Sequence, residues 1–176
     1  MAASTNKRMV TGLFKDRDSA EQAYRSVAAR GYSSDDVNLV MSDETRKRYF
    51  SDSGPAETEL GTKAAKGAGV GGTIGGTLGA IAGAIAAVGT SIAIPGLGLV
   101  IAGPIAAAVA GAGAGGAAGT LVGALVGWGI PEERVKHYES GIKEGGILMG
   151  VTPRSEEDAE HFETTWKTHR GEQIYR

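Results

Sequence analysis

The residues able to do chemistry in this chain are few and scattered. Its three histidines are His137, His161 and His169; none stands at an HxxxH spacing, and the one HxxE match, His169 to Glu172, spans Gly171, where the helix should already have ended, so no two metal ligands share a helix face. There is no cysteine, which excludes thiolate metal sites, iron–sulfur clusters and disulfides. The acidic clusters Glu132–Glu133 and Glu156–Glu157–Asp158 fall where helices should begin, and the helix dipole favours carboxylates there without any catalytic role. No GxSxG elbow and no GxxxxGK[ST] loop occurs. Two stretches, Gly67–Gly72 and Gly111–Gly116, formally match GxGxxG. Neither follows a strand-like run, and without that strand-turn-helix context neither reads as a dinucleotide site. The expectation is a protein that is not an enzyme, with no catalytic residue, cofactor or metal. A net charge of -2 without a basic stripe also argues against a nucleic-acid partner.

What the sequence does concentrate is glycine. Of its 29 glycines, 20 lie between Gly67 and Gly129, and no charged residue falls between Lys66 and Glu132. Ordinary globular chains do not carry an uncharged run of this length. Within it Gly67, Gly71, Gly75, Gly79 and Gly83 recur every four residues, as do Gly111, Gly115, Gly119, Gly123 and Gly127. Residues four apart stack on one helix face, so each run would make a flat groove into which another backbone can pack closely. Each such glycine costs a helix about 1 kcal/mol against alanine, so packing rather than local propensity must hold these segments. The two runs flank the stretch IPGLGLVIAGP, where Pro95, Gly96, Gly98 and Pro104 interrupt helix. Residues 67–130 are therefore expected to form a glycine-zipper helical hairpin with its turn at those four residues. The ten zipper glycines are the expected helix-packing and oligomerisation determinants.

The elements that must carry this hairpin lie on either side of it. Residues 8–42 read as strand, helix, strand. Arg8–Phe14 is strand-like, and Asp18 or Ser19 can cap a helix carrying Ala20, Ala23, Tyr24, Val27 and Ala28 on one face. Gly31 stops it, and Asp36–Ser42 is the second strand. After the hairpin, Pro131 opens a helix with Val135, Tyr138 and Ile142 as its apolar stripe, and Gly145–Gly146 ends it. Ile147–Thr152 is a strand, Ser155 caps a helix with Ala159, Phe162 and Trp166 on one side, and Glu172–Arg176 is a last strand. Neither flank has enough core alone, so 1–42 and 131–176 should share one sheet. The expected fold class is α+β: a discontinuous ferredoxin-like head, β-α-β then α-β-α-β with one extra helix, interrupted by the hairpin. Residues 43–66 read as a polar connector with at most one helical turn. Its cluster Arg46, Lys47, Arg48, Tyr49 and Phe50 suits either a membrane-touching patch or a solvated turn with two satellite core aromatics.

Each arm of such a hairpin would be about 40 Å long at 1.5 Å per residue, and a bilayer core needs about 30 Å. Lys63 and Lys66 before it, Arg134 and Lys136 after it, and Trp128 at one end suit a hairpin inserted from the cytoplasmic side of an inner membrane, with a lipid bilayer and copies of itself as partners. The polar first residues carry no apolar signal core, so the expected location is the cytoplasm or the cytoplasmic face of a membrane. The alternative is a soluble cytoplasmic homo-oligomer (a shell, ring or filament) that buries its hairpins against one another. The richness in alanine and glycine and the lack of Phe and Tyr favour that alternative. A membrane-anchored sensory or regulatory module binding a small molecule on the head is a further alternative, and a membrane-permeabilising hairpin another.

Two stretches carry a family resemblance. Val10–Ser42 (VTGLFKDRDSAEQAYRSVAARGYSSDDVNLVMS) resembles the opening of the bacterial general-stress or heat-induced stress protein domain. The run from Ile94 to Val151 is similar to the glycine-rich half of general stress and low-temperature-induced proteins. It holds in order IPGLG, the glycine zipper, GIPEE and the pattern of Tyr138, Glu139, Gly141, Gly145 and Gly146. The resemblance implies a stress-associated bacterial protein and no catalytic residues. The layout also resembles, in architecture alone, a respiratory-complex subunit whose small α/β domain is interrupted by a two-helix membrane hairpin.

Overall fold

The computed structural model describes residues 9–50, 92–94, 98–104, 125–126 and 129–176. Its elements in chain order are β1 (Val10–Phe14), α1 (Arg17–Ala29), a 3-10 turn (Ser34–Asp36), β2 (Val37–Ser42), α2 (Asp43–Phe50), β3 (Ile92–Ile94), β4 (Leu99–Ala102), α3 (Glu132–Lys143), β5 (Ile147–Val151), α4 (Glu156–Thr168) and β6 (Glu172–Tyr175). The six strands form one sheet in the order β3-β4-β2-β5-β1-β6, and every neighbouring pair is antiparallel. The fold is α+β.

The period-2 alternation of strand side chains sorts the core into two halves. On one face Val10 and Phe14 of β1, Leu39 and Met41 of β2, and Ile147, Met149 and Val151 of β5 meet Ala20, Ala23, Tyr24 and Val27 of α1 and Ala159, Phe162 and Trp166 of α4. On the other face Leu13, Val40, Leu99, Ile101 and Leu148 meet Val135, Tyr138 and Ile142 of α3, together with Leu125 and Ile130. Both faces are covered, so β1 and β5 are buried along their whole length and show no polar-out alternation. Helix α3 covers the second face, with Leu125 and Ile130 beside it. Trp166 is fully buried, edge-on to Phe14 at 5.6 Å and stacked with Phe162 at 6.2 Å between centroids. It fits because Gly12 of β1 lies over it: a β-carbon there would stand 2.9 Å from the indole ring.

A polar clasp joins residues more than a hundred positions apart. The Tyr32 hydroxyl donates to Asp158 Oδ2 at 2.6 Å and accepts the Arg154 backbone N–H at 2.6 Å. Arg30 reaches Asp158 at 3.1 Å, and Arg154 reaches Asp36 at 2.9 Å while lying over the Tyr32 ring. Together with the shared sheet, this ties residues of the two flanks to one another.

Three expectations need correction. The α1 cap is Asp16, whose side chain accepts the Ser19 N–H at 2.8 Å, so Asp18 sits in the first turn where its charge meets the dipole. Residues 43–50 are not connector but helix α2: Ser42 Oγ caps it by accepting the Thr45 N–H at 3.0 Å, and Asp43–Lys47 and Glu44–Arg48 brace it at i,i+4 spacing. The centre of the expected helical hairpin is strand: β3 and β4 pair with each other, and β4 pairs with β2. Ala102, Ile101, Val100 and Leu99 lie opposite Leu39, Val40, Met41 and Ser42.

Candidate functional site

The place where the uncharged stretch meets the head is the β3–β4 hairpin, and local sequence explains it. Leu99–Ala102 is a short apolar run with two β-branched residues, bounded by Gly98 and by Gly103–Pro104, which is the pattern of a strand buried on both faces. All four of its residues are buried. Of the four expected turn residues, Gly98 does lie in the turn between β3 and β4, at φ +61, and Pro104 is exposed just beyond β4. Pro95 and Gly96 lie outside the described residues. The Gly98 carbonyl accepts the Asp43 N–H at 2.7 Å, so the turn also satisfies an orphan donor at the start of α2. Sequence reasoning missed Gly103. Its φ is +108, and a β-carbon there would collide with the Val37 carbonyl oxygen and stand 2.9 Å from Asn38 Cα. The chain can leave β4 against β2 only through a residue without a side chain. The Gly-Pro dipeptide at 103–104 was the available signal.

The ten zipper glycines, Gly67, Gly71, Gly75, Gly79, Gly83, Gly111, Gly115, Gly119, Gly123 and Gly127, lie outside the described residues, as do both GxGxxG stretches, Lys63, Lys66 and Trp128.

The basic cluster on α2 is turned inward electrostatically. Arg46 and Lys47 both pair with Asp43, at 3.3 and 2.6 Å, and Arg48 pairs with Glu44 at 2.8 Å. The hydrogen bond from Lys47 holds the Asp43 carboxyl below its usual range against a smaller opposing effect of burial. Tyr49 packs against the core, and its carbonyl accepts from Arg17 at 3.0 Å. The arrangement is that of a braced helix with a core aromatic rather than a cationic patch.

A depression of about 290 Å³ opens between α3 and the β1–β6 edge, lined by Lys15, His137, Ser140, Glu144, Glu172 and the backbone around Gly141 and Gly146. Its charges are spent on one another. Lys15 meets Glu172 at 2.9 Å, which raises the Lys15 pKa through the hydrogen bond first and the charge second, and Ser140 donates to Glu144 at 3.2 Å. Among the described residues no group of three or more His, Cys, Asp or Glu could hold a metal ion. His137 is exposed at this rim. His161 and His169 are half-buried: His161 stands edge-on to Phe162 at 5.9 Å, and His169 is the C-cap of α4.

Two tyrosines stay neutral far above their ordinary range. Burial pushes Tyr24 and Tyr138 up to about 12. The Tyr138 hydroxyl donates to the Gln173 carbonyl at 2.6 Å and lies 2.9 Å from Thr11 Oγ1, so it ties α3 to both β1 and β6. Tyr138 thus has a structural role in joining helix to sheet.

Comparison with family models, with curated proteins and with solved structures gave no match.

Proposed function

We propose that this chain is a non-catalytic, self-associating structural protein: a ferredoxin-like head bearing two uncharged, glycine-rich arms that bury themselves against the arms of other copies. The order β2-β5-β1-β6, with α1 and α4 on one face, supports the ferredoxin-like description of the head. The stress association rests on the resemblance of Val10–Ser42 and Ile94–Val151 alone.

The observation that carries the reading is the pairing of β4 with β2. It ties the middle of the uncharged stretch to the same sheet from which the stretch departs. Described elements therefore bracket each uncharged run: α2 and β3 bracket residues 51–91, and β4 and α3 bracket residues 103–131. Crossing a bilayer takes about 20 residues, so crossing and returning takes about 40. The uncharged arms run from Gly67 to Ser91 and from Gly103 to Pro131, which is 25 and 29 residues. Neither is long enough for a double crossing while β3 and β4 remain on the head. No helix among the described residues is long and apolar enough to cross a membrane. Burial in protein satisfies both the lack of charge and the docked midpoint, because glycine faces permit close backbone packing between helices.

Fractionation tests this. Cells expressing the full chain are lysed without detergent, the pellet is washed with carbonate, and the supernatant is sized by light scattering. A large soluble particle is expected, and Gly75→Leu with Gly79→Leu, or Gly115→Leu with Gly119→Leu, should reduce it to small species. Carbonate-resistant pelleting released only by detergent would sink the protein-buried reading and return the arms to a bilayer, with β3–β4 detached from the sheet.

A further inference from the structure

We propose that β3 is the strand through which two copies of this chain join their sheets, pairing antiparallel about a twofold axis at Ala93. The inference rests on the self-association reading above and names the contact that sets its register.

Among the described strands the sheet has two edges, β3 and β6, and they differ in kind. At β6 the pairing with β1 shifts between Thr11 and Leu13, Gln173 has φ +50, and Lys15–Glu172 and Arg176–Glu156 place charges along the strand. Bends and charges of this sort stop an edge from accepting another strand. At β3 none of these devices is present among the described residues. Ile92-Ala93-Ile94 is uncharged, and its register with β4 is unbroken: Ile92↔Ile101, Ala93↔Val100, Ile94↔Leu99. The outer N–H and C=O groups of such a strand need a partner.

The occupant follows from the sequence of the strand and from its place in the chain. Ile-Ala-Ile is a palindrome. A twofold antiparallel pairing centred on Ala93 sets each Ile92 opposite the other copy's Ile94, so the strand is complementary to itself, as an isologous contact requires. The absence of charge means that no like charges face each other across the axis. Pro95 directly follows β3 and lacks an N–H, which keeps the pairing short and limits slippage to other registers. The hairpin also stands at the root of both arms, since the first uncharged run ends at Ser91 and the second resumes at Gly103. Copies that pack arm against arm bring their β3 strands together, and the short strand contact fixes the orientation that the arms alone leave free.

The absence of cysteine makes the test clean. Directly opposed residues in an antiparallel pair have Cα atoms about 4.5–5.5 Å apart, within the range a disulfide spans. In the Ala93→Cys chain, mild oxidation at dilute concentration should give a covalent dimer on a non-reducing gel. Its yield should exceed that of the exposed control Gln22→Cys by about tenfold or more, because an interface supplies a far higher effective concentration than collision. Light scattering of the unmodified chain is read alongside. If that chain assembles but Ala93→Cys crosslinks no better than Gln22→Cys, the β3 contact is overturned and self-association stands. If the unmodified chain is a monomer, both fall. Amide hydrogen exchange on the unmodified chain reads the same contact without a substitution. The outward amides of Ile92–Ile94 should be protected in the assembly and lose that protection on dilution to monomer, and protection unchanged by dilution would also overturn the proposal.

Discussion

The two ends of one sheet are built on opposite plans. At the β6 end the strand is short, bent and charged, and it is held from beneath by Trp166 and Ile174 and from above by Tyr138 and Tyr175. At the β3–β4 end the strands are straight in register, apolar and uncharged, and the chain leaves them into glycine-rich arms. The first end is a closed boundary whose strength comes from packing. The second is a junction whose strength comes from backbone pairing with β2 and from one glycine that lets the chain pass. On the self-association proposed above, both kinds of edge are needed, because two open edges would propagate without limit.

The largest effect should come from removing what holds the closed end. Trp166→Ala deletes a fully buried indole whose Nε1 has no hydrogen-bond partner among the described residues, so its contribution is chiefly packing. The loss should be about 3–5 kcal/mol, seen as a fall in the urea midpoint of the head. A loss under about 1 kcal/mol would mean that the closed end does not depend on its core.

Next is the junction. Gly103→Ala forces a β-carbon toward the Val37 carbonyl oxygen at φ +108, which should cost about 1–3 kcal/mol. The cost should fall on one end only: amides of Leu39–Ser42 should exchange roughly tenfold faster or more, while those of β1 and β5 keep their protection. Uniform loss of protection would show that the two ends unfold as one unit and that the contrast between them is only local.

How much of this was legible in the sequence follows the same division. The closed end was readable because its signals are conventional: apolar stripes on α1, α3 and α4, glycines after each helix, and Ser155 at the last cap, whose hydroxyl accepts the Asp158 N–H at 3.1 Å. The junction was legible only as the turn between two helices, because Pro95, Gly96, Gly98 and Pro104 interrupt helix and the glycine runs on either side dominate the pattern. Leu99–Ala102 carried its own strand signal, but a four-residue run of apolar residues is compatible with helix until the pairing with β2 decides it. Helix α2 was missed because its residues are almost all polar, and its stability comes from i,i+4 ion pairs that an apolar stripe does not reveal. The zipper glycines were legible as a pattern, and what they pack against belongs to other copies in the reading proposed here.

A third test asks how Tyr138 couples α3 to the closed end. Tyr138→Phe leaves Thr11 Oγ1 and the Gln173 carbonyl without their shared partner and should cost about 1–2 kcal/mol. It should also change the response to alkali. Tyr24 and Tyr138 ionise near 12 in the fold and near 10 when unfolded, so their contribution is complete below pH 10 and is lost as pH rises from 10 through 12. The urea midpoint should fall over that window in the parent chain and fall less steeply in Tyr138→Phe. A midpoint flat to pH 12 in the parent would contradict the burial of both hydroxyls.

The smallest effect should separate the two devices that close the β6 edge, charge and bend. Glu172→Ala removes the partner that raises the Lys15 pKa, so Lys15 should return toward its ordinary 10.5, as followed by NMR of its side chain. Lys15 is largely exposed, and exposed pairs contribute little to stability, so the melting temperature should not move measurably. The size of the assembly decides the point. The bend at Gln173 and the shifted register with β1 remain in this variant, and a bent edge cannot present a straight row of donors and acceptors. Assembly size should therefore be unchanged. If Glu172→Ala instead yields larger particles, charge rather than shape was guarding this edge. The difference between the two ends of the sheet would then reduce to the placement of a few ionised side chains.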